Sequence, residues 1–483
     1  MMCCVLASAQ RPADWATSGS DAQRSSWVRA DAKISKDSLQ KPGFQLSWKV
    51  KLNNEPQLTP PVLLDRYIGY RGFRSLAFLA AGSDHIYAID TDLGRIEWQK
   101  HLSPTCAGAS AANVTRATSA SFPAAVVGGR GGGTGRGGPA KSSVGQPGYG
   151  AITVPQTSAP AAPAQPAAAA RRAAVRPIRA PELVYVLSSD GMLRRMYVSN
   201  GADADAPLPW LPANAAAHGL IVIDNVAYAA TGPGCGGGAH GIWTLDLSSR
   251  QVSSWKSSGA IAGSNGAAIA PDGTLYVATG AGEMVALEPA TLKVKDSYRA
   301  WKQDFTSSPV LFQYKRKNLI AATTRDGRMH LLDSAALGGE TPLYKTPPSA
   351  NAADFVPGAL ASWQDDGGTR WVLASTAGAI VAWKIVDQAG APTLQPGWVS
   401  RDMVSPLPPI VMNGVVFAVS SGAQRSSPAV LYALDAATGK ELWNSGKTIT
   451  SSARGGGLSA GGSQLFLGTN DGTLYAFGFP IEH

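Results

Sequence analysis

The 483 residues carry 42 Lys plus Arg against 33 Asp plus Glu, a formal charge of +9, with 44% apolar and 16% charged side chains. That balance excludes a chain disordered throughout, and the lack of any run of about 18 apolar residues excludes a membrane-spanning helix. The 54 Gly, 33 Pro and 13 Trp point to many tight turns and an aromatic-rich β architecture.

In chain order, residues 1–9 (MMCCVLASA) end in the small-residue pattern of a signal-peptidase site. They read as the remnant of a signal peptide whose start lies upstream, so an exported protein is expected. Cys3 and Cys4 do not form a lipoprotein box as written. Residues 10–43 form a lead-in segment, and Phe44–Leu52 (FQLSWKVKL) reads as an isolated strand centred on Trp48.

The span 44–102 holds that strand and a first repeat unit. His85–Trp98 (HIYAIDTDLGRIEW) fits A-x-D-x-x-x-G-[RK]-x-x-W, as does Val430–Trp443 (VLYALDAATGKELW). Asp90 and Asp435 are placed to accept bonds from turn backbone groups, and Gly94 and Gly439 to supply positive φ.

Residues 103–181 differ from their surroundings. They hold eight basic residues (Arg116, Arg130, Arg136, Lys141, Arg171, Arg172, Arg176 and Arg179) and no Asp or Glu. Without them 34 basic residues face 33 acidic ones, so almost the whole charge excess belongs here. GGRGGGTGRGG and APAAPAQPAAAARRAA offer too little apolar side chain to offset ordering entropy. The segment is expected to be a largely disordered insertion with short ordered pieces at its ends.

Residues 182–480 supply seven more units, with starts at 184, 226, 275, 319, 371, 415 and 465, spaced by 42 to 52 residues. That period matches four-stranded propeller blades. Trp98, Trp210, Trp255, Trp301, Trp398 and Trp443 recur near the outer-strand position, where they are expected to fill the wedge between blades. The eighth unit stops after three strands, and Phe44–Leu52 is its expected fourth. The sequence therefore specifies an all-β, eight-bladed propeller of four-stranded antiparallel blades, closed by an N-terminal strand and carrying one long insertion.

The A-x-D-x-x-x-G-K-x-x-W unit resembles the tryptophan-docking repeat of the PQQ-like β-propeller superfamily, whose members include quinoprotein dehydrogenases, BamB and binding propellers. DWATSGSDAQRSSW (Asp14–Trp27) resembles the lead-in of quinoprotein dehydrogenases. The dehydrogenase resemblance implies PQQ and Ca²⁺ on the propeller axis, an Asn ligand in a TGN-like motif and a catalytic Asp in a WDxD-like motif. Here Thr279-Gly280-Ala281 puts Ala at the Asn position, and Trp363-Gln364-Asp365-Asp366 matches WDxD only superficially. Calcium needs several hard oxygen ligands, so no catalytic, cofactor or metal residue is assigned. PQQ and Ca²⁺ enter only under the alternative of an alcohol- or sugar-oxidising dehydrogenase.

The favoured reading is a non-catalytic, monomeric scaffold in the periplasm, cell envelope or outside the cell. It would bind envelope or extracellular proteins, with the basic insertion facing an anionic polymer or acidic protein. Two Arg in the Gly tract and no interleaved aromatic argue against nucleic acid. Once Cys3 and Cys4 leave with the signal, Cys106 and Cys235 remain as a candidate disulfide, the alternative being two unpaired buried thiols. There is no CxxC, and the six His have no ligand spacing.

Overall fold

The computed structural model describes residues 15–52, 58–69, 72–102, 112–122, 182–349, 355–422, 427–453 and 457–480. Its strands form eight antiparallel sheets, each contributing four sequential positions from the axis outward. Blade 1 comprises Val62–Gly69, Gly72–Ala81, His85–Asp90 and Arg95–His101. Blade 2 comprises Asn113–Thr115, Leu183–Leu187, Met192–Tyr197 and Leu208–Pro209, and blade 3 Ala216–Ile223, Val226–Gly232, Gly241–Asp246 and Val252–Lys256. Blades 4 to 7 follow in the same pattern between residues 268 and 444. No helix among the described residues is long and apolar enough to cross a membrane.

Closure is as the repeat arithmetic requires. Leu458–Gly461, Gln464–Gly468 and Thr473–Gly478 make three strands of blade 8, and Gln45–Lys51 pairs antiparallel with the last of them, Trp48 opposite Ala476. The ring thus has no open blade edge at its seam. Second and third strands are buried on both faces, as in Val415–Ser420 and Thr473–Gly478, because each blade is packed between two others.

Two segments lie inside the ring. Residues 15–31 run past the innermost strand of one blade after another. Backbone carbonyls of Trp15, Ala16, Ala22, Gln23, Ser25 and Ser26 accept from the N–H groups of Leu63, Arg116, Ile269, Leu311, Ser362 and Val411 in turn. Thr17 donates through its hydroxyl to the Leu220 carbonyl, and Asp31 accepts from Ser463 of blade 8. One short peptide therefore touches all eight blades. Trp27–Val28 adds a parallel strand inside blade 7, and Ala117–Thr118 does the same inside blade 3. The two segments meet where the Gln23 amide donates to the Ala120 carbonyl.

That second segment corrects the expected insertion boundaries. Residues 112–122 fall within 103–181 yet belong to the ring, Asn113–Thr115 being the innermost strand of blade 2. Its small and β-branched residues suit a crowded axis, with Ala112 and Thr115 at 1% and 0% exposure. Arg116 leaves the basic tract as well, since it pairs with Glu182 at 3.7 Å. The remaining stretch, 123–181, connects the first and second strands of blade 2 rather than two blades. It lies outside the described residues, as do the expected signal remnant 1–9 and residues 103–111, Cys106 among them.

Candidate functional site

Alternating strand directions give the ring two faces. One, called upper here, carries the second-to-third-strand loops and the connections between blades. The lower face carries the first-to-second and third-to-fourth turns.

The repeat positions build a structural device rather than a reactive one. The carboxylate of Asp90 accepts from the N–H groups of Asp92 and Leu93, and that of Asp435 from those of Ala437 and Thr438. Each fixes a third-to-fourth-strand turn that then reaches Gly94 or Gly439 at φ 65° and 73°. A Trp from the preceding blade lies on that turn. Trp48 donates its indole N–H to the Thr91 carbonyl at 2.6 Å, Trp98 to Val198 at 2.9 Å and Trp398 to Ala436 at 2.9 Å. Opposite them stand Ala476, Ala88 and Ala382, small enough to let the indole lean towards its neighbour.

Other positions vary. Trp443 sits edge-on against Phe44 at 4.8 Å and near Phe477 at 5.8 Å. Trp210 is buried, with no partner for its indole nitrogen among the described residues, and Trp255 is half-buried against blades 3 and 4. Trp301 is the exception: it is 65% exposed, in the connection after the strand Val294–Arg299, and fills no wedge. Tyr298, inside that strand and 2% exposed, takes the place instead and bonds through its hydroxyl to Nδ1 of His330 on blade 5 at 2.8 Å. Burial holds His330 neutral, its pKa pulled down to about 4.

At the axis, Arg24 is 1% exposed. Its guanidinium donates to the carbonyls of Ala267, Ser18 and Gly219 and to the Thr17 hydroxyl. Burial lowers its pKa to about 10, against the opposing pull of Asp21, so it stays charged and staples the lead-in to blades 3 and 4. Asp21 is itself engaged by Ser25 and by Arg29 at 3.5 Å.

The two cofactor-like motifs do not come together. Thr279-Gly280-Ala281 forms a second-to-third-strand loop of blade 4, on the upper face. Asp365 and Asp366 sit in the first-to-second turn of blade 6, on the lower face. Ala281 has no side-chain oxygen, and Thr279 spends its hydroxyl on Glu283 backbone groups. Asp365 accepts from the Thr369 N–H at 2.8 Å and the Trp371 indole at 2.9 Å, which makes it a turn carboxylate. No group of three or more His, Cys, Asp or Glu is placed to hold a metal among the described residues. These donors do not fit PQQ with Ca²⁺.

Cys235 lies in the Gly-rich upper loop of blade 3 and is disulfide-bonded. Its three possible partners, Cys3, Cys4 and Cys106, lie outside the described residues.

Comparison with known proteins agrees with this architecture. Residues 240–478 match the family model described as outer membrane protein assembly factor BamB. Quinohemoprotein alcohol dehydrogenase from Comamonas testosteroni superposes with a TM-score of 0.59 at 14% identity, covering 99% of this chain and 82% of that one. A europium-containing methanol dehydrogenase gives 0.58 at 11% identity, covering 97% and 99%. The computationally designed Ika8 protein gives 0.54 at 12%, covering 90% and 100%. At such identities the likeness is one of fold. No curated protein matches the sequence.

Proposed function

We propose that this chain, a PQQ-like β-propeller, is a non-catalytic protein-binding scaffold of the cell envelope or extracellular space. The observation that carries the reading is the separation of its two dehydrogenase-like motifs onto opposite faces, with Ala281 in place of a ligand. A propeller offers rigid loops around one face, a scaffold suited to protein contacts. The family model over residues 240–478 carries the name of an assembly factor, which favours the same class.

Export is supported by the bonded state of Cys235, since disulfides persist in oxidising compartments. Cys106 is the partner we assign to it, because the described strands on either side of it in sequence, Arg95–His101 and Asn113–Thr115, end and begin at the face that carries the Cys235 loop. The seven basic residues of 123–181 would meet an anionic polymer or acidic protein, and the ring itself is near neutral. The competing reading is a PQQ- and Ca²⁺-dependent dehydrogenase. Calorimetric titration of the purified protein with PQQ and Ca²⁺, followed by dye-linked oxidation of alcohols and sugars, separates the two. The scaffold predicts no saturable PQQ binding and no turnover.

A further inference from the structure

A groove opens on the upper face between blades 5 and 6. It is a shallow, partly open depression whose walls include Thr323, Met329, Phe355, Val381 and Trp383. Among the described residues no Lys, Arg, Asp or Glu lines it. Two charge pairs stand in the loops on the blade 5 side, Arg328 with Asp326 at 2.8 Å and Arg325 with Asp304 at 3.3 Å.

Two polar groups in the groove are unspent. Thr323 is 4% exposed, and its hydroxyl has no partner among the described residues. The half-buried Trp383 makes no hydrogen bond through its indole N–H among them. Three further hydroxyls are committed: Thr324 to Asp326, Ser375 to the Leu407 carbonyl, Thr376 to Ala379. A polyhydroxylated ligand would therefore bury most of its own hydroxyls unpaired, at a cost. An apolar side chain beside one peptide carbonyl would not.

The rim extends the apolar surface past the groove. Val399 is 67% exposed and pairs across the sheet with the lining residue Val381, which puts it at the edge. Val356, 56% exposed, stands between the lining residues Phe355 and Pro357. Val404, 47% exposed, follows Met403, whose N–H donates to Gly378 in the loop that forms one wall. A small ligand seated in the groove would leave this rim wet. A macromolecular segment would cover it.

We infer that this groove docks an extended, uncharged peptide segment of a partner protein, one aliphatic or aromatic side chain entering between the blades and an adjacent carbonyl accepting from the Trp383 indole. The inference rests on the protein-binding reading and gives it a location and a chemistry. Anchoring side chains cluster in well-packed, desolvated pockets, and such pockets are lined mainly by apolar and aromatic groups.

The test titrates the full-length protein with fluorescent, end-blocked hexapeptides of Ser and Gly that differ at one central residue: Leu, Phe, Ser, Lys or Glu. Fluorescence polarisation should show the Leu or Phe peptide binding at least tenfold tighter than the other three. Val399→Lys, on the exposed rim, should weaken that binding at least fivefold. Val252→Lys, at an exposed site on blade 3, should leave it unchanged. Trp383→Phe should weaken it while retaining the ring. Equal binding of all peptides, indifference to Val399→Lys, or displacement by a soluble neutral oligosaccharide would overturn the inference. The two readings fail separately: lost peptide selectivity without PQQ binding removes the groove alone, whereas PQQ-dependent turnover removes the scaffold reading.

Discussion

The indole of Trp48 lies so close to Gly94 that a β-carbon on the glycine would fall 2.6 Å from Cδ2 of the ring. Blade 8 is thereby locked to blade 1 by a residue 46 positions upstream in sequence, at the seam where the ring closes. The same contact recurs between Trp98 and Gly201 at 2.6 Å, and between Trp398 and Gly439 at 2.5 Å. Glycine is required there twice, for its positive φ and for the missing side chain.

The two requirements can be separated. Gly390 has φ 81° and nothing within 4 Å of the place a β-carbon would take, so Gly390→Ala meets backbone strain alone, about 1 kcal/mol. Gly94→Ala adds displacement of Trp48 and should cost about 2–4 kcal/mol in urea denaturation. Trp48→Ala should cost about 3 kcal/mol, as for truncation of a large aromatic in a packed wedge. A loss below about 0.5 kcal/mol for Trp48→Ala would contradict closure by this strand.

Arg24 links the lead-in to the axis, so Arg24→Met should destabilise by about 2–4 kcal/mol. Three carbonyls and one hydroxyl lose a charged donor at a buried site. Limited proteolysis should then release the first thirty or so residues before any blade is cut.

Acid should weaken the ring from below pH 6.5. Burial pulls His218 and His330 to about 4, whereas in the unfolded chain they take up protons near 6.5. Between those values the unfolded state binds more protons, so stability is full above pH 6.5 and falls as pH drops. Each histidine contributes a slope of about 1.4 kcal/mol per pH unit. Asp84, raised by burial, acts with the opposite sign nearer pH 4. Denaturation midpoints from pH 7 to 5 should show the fall, and His330→Phe should reduce its slope.

Peptide mapping without reduction should recover Cys106 joined to Cys235, and reduction should lower stability by about 2–4 kcal/mol. A bond from Cys235 to Cys3 or Cys4 would contradict that pairing.

The ring was legible in the sequence because blades 1 and 7 spell out one local solution, an Asp-held turn, a positive-φ Gly four residues after the Asp and a Trp four further on, which the other blades echo in part. Gly201 shares this role, but its unit reads SNGA without the flanking motif. Trp301 misleads for a related reason, since the strand of blade 4 presents Tyr298 three residues earlier and the tryptophan falls beyond its end. The first strand of blade 2 was hidden inside a compositionally odd stretch; three residues of sheet cannot outweigh the glycine and proline that follow. The axial lead-in is harder still. Its carbonyls bond to strands of different blades, so no period in its own residues announces it. The groove between blades 5 and 6 is equally invisible, because Thr323, Phe355 and Trp383 come from three separate segments and meet only when two blades pack.

The central claim is that this propeller works through its surface and not through an axial cofactor. Isothermal titration of the full-length protein with PQQ in millimolar Ca²⁺ tests it most directly. No saturable heat and no dye reduction with alcohols or sugars are predicted; one PQQ bound per chain with substrate turnover would contradict the claim.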